Sequence, residues 1–203
     1  MAGGIGLSRR LKGSRGLDNR LRIIGGRWRG RKLSFPDAPG LRPTPDRVRE
    51  TLFNWLQADM VGARCLDLFA GSGALGLEAL SRGASRVVLV DESREATRQL
   101  TTHLHDLDCR DAVVVNSPAQ DFLQRGPGAA AYDVVFLDPP FRQGLVSRCA
   151  ALLEEKGWLA PNAMIYLEAE RELRELDLPD HWEILREKTA GQVGYRLAIR
   201  RAS

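Results

Sequence analysis

The stretch that most limits the fold of this chain is Cys65-Leu66-Asp67-Leu68-Phe69-Ala70-Gly71-Ser72-Gly73-Ala74-Leu75-Gly76-Leu77-Glu78, an apolar run that breaks into glycines and resumes at helical spacing. It predicts a strand, a tight turn and a helix. Gly71 and Gly73 remove side chains where the backbone bends sharply and lies against a ligand, and Gly76 lets the helix sit tight on the strand. Loops of this form recur in dehydrogenases, flavoproteins and methyltransferases, so the glycines alone select no cofactor, and a glycine-rich turn with no ligand is the plain alternative. Asp67 discriminates. A carboxylate at the strand end attracts a ligand carrying an ammonium group and repels a pyrophosphate, so S-adenosylmethionine fits better than NAD.

At 203 residues the chain suffices for one well-buried core with a small appendage. Its 43% hydrophobic and 28% charged residues are those of an ordinary globular protein. No apolar run reaches the roughly 18 residues of a membrane span, and the basic N-terminus lacks the apolar core of a secretory signal, so a cytoplasmic protein with no membrane contact is expected. Cys65, Cys109 and Cys149 are far apart and without Cys-x-x-Cys spacing, and His103 and His105 point to different faces of a helix, so no metal site is expected. The net charge of +4 is unevenly spread: residues 1–49 hold 13 Lys and Arg against three Asp, a net of +10, and the remainder carries −6. A basic front on an acidic body is the footprint of a polyanion partner, with a solvated charged tail as the alternative.

Residues 1–20 are rich in Gly, Arg and Ser and too poor in apolar residues to fold alone; they are expected to form a flexible basic arm. Residues 21–43 read as two short strands around a glycine-containing turn, followed by a segment kept extended by Pro36, Pro39 and Pro43. Arginines interleaved with Trp28 suit phosphates and an unstacked base, which makes Arg27, Arg29, Arg31 and Lys32 candidate RNA contacts. Thr44-Pro45-Asp46 offers an N-cap, a proline at the first helical position and an acidic first turn, and Val48, Leu52, Trp55 and Leu56 form the apolar stripe of the ensuing helix. Arg47 and Arg49 flank that stripe and are expected to reach outward to RNA, or else to serve solubility alone.

Beyond the glycine loop, buried strands are expected over 86–91, 112–116, 132–137 and 164–168, with helices over 93–107 and 145–156, and an antiparallel hairpin over 182–189 and 193–200. The alternation implies a three-layer α/β sandwich with ligands at the C-terminal strand edges. At that edge Asp91 is placed to bind ribose hydroxyls. Phe69, Ala70, Gly71, Ser72 and Gly73 are placed to line the cofactor, with Ser117 and Ala119 beside its adenine.

The strand over 132–137 delivers Asp138-Pro139-Pro140-Phe141. Two prolines fix φ twice and remove two N–H donors, leaving carbonyls and a carboxylate as a rigid acceptor edge. That edge wants an amine. The exocyclic NH2 of a base can donate to Asp138 and to the Pro139 carbonyl while Phe141 stacks on the ring, so catalysis is mostly positioning beside an activated methyl group.

With these residues the chain resembles the amino-group nucleic-acid methyltransferases, and within them the bacterial RsmD family of 16S ribosomal RNA guanine-N2 methyltransferases. The resemblance is carried by Arg22 to Gly26, Arg29 to Leu33, Leu41 to Thr44, Asp46 to Leu56, Asp67 to Glu78, Asp138 to Phe141, Arg186 to Lys188 and Gly191 to Val193. It implies a Rossmann-like class I methyltransferase domain over 44–203 with a mostly parallel seven-stranded sheet, a C-terminal antiparallel hairpin and a small N-terminal β-hairpin extension. It also implies S-adenosylmethionine as cofactor and guanine 966 of 16S ribosomal RNA as target; small-subunit particles carrying ribosomal proteins are the expected setting of that RNA, and a monomer is the expected state. Asp91 departs from the family pattern, where Glu is expected, and residues 1–20 have no counterpart in it. Three rivals remain: a DNA adenine-N6 methyltransferase, a nicotinamide oxidoreductase and a non-catalytic RNA-binding protein.

Overall fold

The computed structural model describes residues 19–35, 44–128, 131–173 and 176–201; most of the arm expected over 1–20, and all of the proline-rich stretch over 36–43, lie outside the described residues. The chain opens with a two-stranded antiparallel hairpin, β1 (Asn19–Arg22) and β2 (Lys32–Phe35), joined through a 3-10 turn at Gly26–Trp28. Helix α1 (Asp46–Trp55) leads into β3 (Arg64–Asp67), α2 (Gly76–Ser81), β4 (Arg86–Asp91), α3 (Arg94–Asp106), β5 (Ala112–Asn116), α4 (Ala119–Gln124), β6 (Tyr132–Leu137), α5 (Leu145–Glu155) and β7 (Leu159–Glu170). The closing hairpin is β8 (Trp182–Ala190) and β9 (Val193–Arg200). Strands β3 to β9 form one sheet in the order β5-β4-β3-β6-β7-β9-β8, parallel except that β9 runs antiparallel to both its neighbours.

The sheet is buried on both faces, which is why its strands read as unbroken apolar runs. Alternate residues feed two cores. Cys65, Val87, Leu89, Val134 and Phe136 meet α1, α2, α3 and the N-terminal hairpin on one side, whereas Leu66, Val88, Val90, Val135 and Leu137 meet α4 and α5 on the other. Phe136 is fully buried between Phe53 and Tyr166, with ring centroids 6.1 and 6.5 Å away, and burial of such a ring stabilises the fold by roughly 1.5 to 3 kcal/mol. Among the described residues no helix is long and apolar enough to cross a membrane.

Three local expectations are corrected. Thr44 does not cap α1: Pro45 holds the cap position without a side-chain bond, and the Thr44 hydroxyl instead reaches across the molecule to Asp138. The strand expected over 164–168 runs from Leu159 to Glu170, because its second half pairs with β9 as well as β6 and its start pairs Leu159 with Tyr132 across a register shift. Helix α4, only six residues long, was not anticipated.

Candidate active site

The glycine loop leaves β3 at Asp67 and is shaped by backbone geometry. Gly71 and Gly73 have φ of 49° and 83°, in the left-handed region that penalises a side chain. A Cβ on Gly73 would lie 2.6 Å from Leu100 and 2.7 Å from Leu77, and one on Gly76 would lie 2.2 Å from Leu89 and 3.1 Å from Asp67 Oδ2, so the loop packs against α3 and α2 while the start of α2 presses directly onto the sheet. The loop is tied at both margins. Ala70 N–H donates to Val90 O on β4 (2.9 Å), and Leu68 N–H to Phe136 O on β6 (3.2 Å).

Two carboxylates hold the loop from beneath. Asp67, 2% exposed, accepts the Gly76 N–H at 2.9 Å. Burial pushes its carboxyl up to about 7, reinforced by the negative charges of Asp138 and Asp91 and opposed by the backbone amides of Gly76 and Phe69. Asp91, at the end of β4, accepts from Gly71 N–H and from Ser93 N–H, both at 2.8 Å. Asn116 Nδ2 donates to the Asp91 and Glu92 carbonyls at 3.0 and 2.8 Å, and Ser117 N–H to Asp91 O at 3.0 Å, which knits the ends of β4 and β5 together. The structure therefore brings Asp67, Phe69 to Gly73, Asp91, Ser117 and Ala119 to one edge, as expected from the sequence. It adds that the two Asp carboxylates already hold loop amides.

Asp138 follows β6 on the same edge. Because Asp67 pairs in register with Phe136, the glycine loop and the Asp138-Pro139-Pro140-Phe141 segment leave the sheet side by side. Thr44 Oγ1 donates to Asp138 Oδ2 at 3.2 Å. Pro139 is buried while Pro140 and Phe141 are exposed, Phe141 at 39%. A cleft between this segment and the end of β7 is lined by Pro139, Phe141, Glu168, Glu170 and Leu173. The Arg142 N–H donates to Glu170 Oε1, closing the loop over that cleft. A hollow of about 310 Å³ lined by Asp59, Val61, Asp133 and Asn162 lies at the opposite end of the sheet and touches none of these residues.

Glu168 was missed by sequence reasoning. It is 4% exposed at the end of β7, accepts from Tyr166 O–H at 2.6 Å, and lies in hydrogen-bonding contact with Asp138. Burial raises both carboxyls well above the usual range. The signal that marks it is a lone carboxylate in the otherwise apolar run Met164 to Ala169.

The basic candidates divide. Arg27, Arg29, Arg31 and Lys32 are exposed on the hairpin and Arg47 on α1. Arg27 lies 4.1 Å over the Trp28 ring and 3.6 Å from Asp111, and Arg31 donates to Asp106 O at 3.1 Å. Arg49 contradicts its assignment. It is 1% exposed and donates to Thr44 O (3.2 Å), Arg22 O (2.9 Å) and Asp46 Oδ1 (2.6 Å), with Nη1 3.6 Å from Glu78, so it ties the segments together and faces no RNA. Its first-turn position aims it inward because Glu78 is buried there. Glu78, unnoticed as a functional residue, accepts Ile24 N–H and Gly25 N–H (each 2.8 Å) and Arg82 Nε (2.7 Å). With Ser81 Oγ, which donates to Gly25 O at 2.5 Å and accepts from Trp28 N–H at 3.0 Å, it clamps the basic hairpin onto α2.

Comparison with known proteins agrees with this arrangement. The family model described as Conserved hypothetical protein 95 matches residues 21–199. Ribosomal RNA small subunit methyltransferase D of Escherichia coli (strain K12) is 56% identical over 183 residues, covering 90% of this chain and 91% of the relative. The protein of the same name from Haemophilus influenzae is 49% identical, covering 87% of this chain and 92% of the relative. The solved structure of yhhF from Escherichia coli superposes with a TM-score of 0.83 at 51% identity, covering 91% of this chain and all of that one. Sharing that sequence and that fold along nearly the whole of both partners, the chain belongs to the ribosomal RNA small subunit methyltransferase D (RsmD) family.

Proposed function

We propose that the protein transfers a methyl group from S-adenosylmethionine to the exocyclic N2 of a guanine in 16S ribosomal RNA, guanine 966 by family resemblance. The observation that carries this reading is the adjacency of the glycine loop and Asp138-Pro139-Pro140-Phe141 at the ends of neighbouring parallel strands. The site fits the cofactor: Gly71, half-buried and in left-handed backbone, puts no side chain over the loop, and Asp67 and Asp91 place carboxylates at the loop's root and rim. When bound, the cofactor supplies a sulfonium-activated methyl group.

The protein's own groups do the rest. Asp138 and the Pro139 carbonyl accept the two amine hydrogens, which points the nitrogen lone pair toward the cofactor side. Phe141, 39% exposed, offers its ring to the base. Methyl transfer from the cofactor would leave the target nitrogen cationic, and Asp138 would take the proton that this nitrogen then releases. Arg27, Arg29, Arg31, Lys32 and Arg47 hold RNA phosphates along the hairpin and α1, and the small-subunit particle with its ribosomal proteins is the substrate they fit.

The test is Asp138→Asn. It turns an acceptor into a donor that faces the donor amine, and single-turnover transfer to unmodified small-subunit particles should fall by about two to four orders of magnitude while S-adenosylmethionine affinity changes little. A near-wild-type rate, or wild-type protein whose methylated nucleoside is an adenine, would sink the proposal.

A further inference from the structure

Asp138 does not stand alone at the acceptor edge. Leu137 pairs in register with Leu167, so Asp138 and Glu168 are the next residues along neighbouring parallel strands, and their carboxyls are in hydrogen-bonding contact. Two ionised carboxylates side by side repel each other and offer acceptors only, so a buried pair placed in this way favours holding one proton between them. Its position follows from the surroundings. Asp138 is the less buried of the two and takes the Thr44 Oγ1 hydrogen at 3.2 Å, whereas Glu168 is 4% exposed, accepts the Tyr166 hydroxyl at 2.6 Å and has the same Thr44 hydroxyl beside it. The negative charge is better solvated on Asp138, and the proton belongs to Glu168.

The groups that face this pair come from every neighbouring element. They are Asp67 on β3 with Asp91 on β4 behind it, Tyr166 on β7, Tyr195 opposite Glu168 on β9, and Thr44 ahead of α1. Each is neutral or acidic, and among the described residues no Lys or Arg forms an ion pair with either carboxyl. Burial and mutual repulsion therefore raise the affinity of the pair for one proton, and Tyr166, by donating to Glu168, works against that rise.

We infer that Glu168 is a positioning residue of the methyl transfer proposed above: it keeps a proton and donates it to Asp138, so that Asp138 stays ionised with its remaining lone pairs turned to the target amine. The inference rests on the methyl-transfer reading. The balance of the step is complete. The proton shed by the methylated amine passes to Asp138, the pair then carries two protons and no charge, and water removes one to restore it. Glu168 never meets the substrate nitrogen and acts through Asp138.

The experiment is the pH profile of single-turnover transfer to small-subunit particles with saturating cofactor, for wild type, Glu168→Gln, Glu168→Ala and Tyr166→Phe. Wild type should lose activity at low pH, as Asp138 protonates, and again at high pH, as Glu168 ionises. Glu168→Gln donates an amide N–H at every pH, so it should turn over within about tenfold of wild type at neutral pH and lose the alkaline limb. Glu168→Ala removes the donor and should slow transfer by about a hundredfold with the cofactor KM unchanged. Tyr166→Phe removes the bond that favours the ionised form, so its alkaline limb should move to higher pH. Infrared spectra should show a protonated carboxyl in wild type that Glu168→Gln lacks. An alkaline limb unchanged in Glu168→Gln, or wild-type turnover in Glu168→Ala, overturns the inference and leaves methyl transfer standing; wild-type protein that methylates no guanine overturns both. If Glu168→Gln does not fold, Tyr166→Phe decides, and an unmoved limb overturns the inference.

Discussion

Gly26→Ala should detach the basic hairpin from α2 while sparing the cofactor loop. Gly26 opens the 3-10 turn with φ of 72°, and a Cβ there would lie 1.8 Å from the Ser81 carbonyl oxygen and 2.2 Å from its carbon. Those are main-chain atoms of a helix, so no rotamer change relieves the overlap and the turn must withdraw by more than an ångström. Withdrawal acts on four hydrogen bonds at once: Ile24 and Gly25 N–H to Glu78, Ser81 Oγ to Gly25 O, and Trp28 N–H to Ser81 Oγ. Loss of half of them at about 1 to 1.5 kcal/mol each, with about 1 kcal/mol for a side chain in left-handed backbone, gives a destabilisation of roughly 3 to 4 kcal/mol. The overlap falls at the end of α2 remote from Gly71, so cofactor affinity should hardly change. Urea denaturation reads the first quantity, and RNA binding at fixed salt should weaken because Arg27 and Arg29 lose their fixed orientation. A variant with the wild-type unfolding midpoint and wild-type RNA affinity would refute the claim that this clamp sets the hairpin.

Replacing Arg27, Arg29, Arg31, Lys32 and Arg47 by Ala should lower the log-log salt slope of RNA binding by roughly 0.7 to 0.9 per lost phosphate contact, and an unaltered slope would return them to a solvated face. Arg49→Ala should instead leave the slope alone and destabilise the fold by about 1 to 3 kcal/mol, since it removes three hydrogen bonds and the more distant of the two cations beside Glu78, and denaturant midpoints separate the two outcomes. Gly71→Val places a branched side chain at φ of 49° in the loop; calorimetric affinity for S-adenosylmethionine should collapse while the thermal transition persists, and unchanged affinity would remove the loop from the site. For Asp67 the folded carboxyl is raised to about 7, so the stability it contributes is present below its unfolded value and is lost as pH rises through 7. In the absence of cofactor, Asp67→Asn should therefore flatten the decline of Tm between acidic and mildly alkaline pH, and an unchanged decline would contradict the shift.

The parts legible in the sequence are those whose cause is local. The glycines of 71–76 carry their own backbone requirement, the prolines of 139–140 remove donors wherever they stand, and the apolar strands announce a sheet covered on both faces. What the sequence concealed depends on partners distant along the chain. Arg49 falls on the apolar face by spacing, three, four and seven residues before Leu52, Phe53 and Leu56, whereas Arg47 shares a face with Glu50, Thr51 and Asn54, but the partner that lets a cation lie buried there, Glu78, is distant along the chain. Thr44 has the form of an N-cap, but its hydroxyl is taken by Asp138 far along the chain. Helix α4 is too short to show a period, and its end is fixed by Trp158, whose indole donates to Leu123 O at 2.9 Å.

The buried carboxylates fall into two groups, one that fixes the basic hairpin and one that gathers at the C-terminal strand edge. Glu78 is compensated from within, by Arg82 at 2.7 Å, Arg49 at 3.6 Å and two backbone amides, so its charge is spent on joining the hairpin to α2. Asp67, Asp91, Asp138 and Glu168 crowd the C-terminal edge of four successive strands with amides and hydroxyls as partners and no ion pair among the described residues. Charges so arranged repel one another, and burial raises Asp67, Asp138 and Glu168 toward the neutral form. A ligand that brings an ammonium or sulfonium group relieves that repulsion, whereas a pyrophosphate would deepen it. A preference for a cationic cofactor is thus a property of the whole strand edge and not of Asp67 alone.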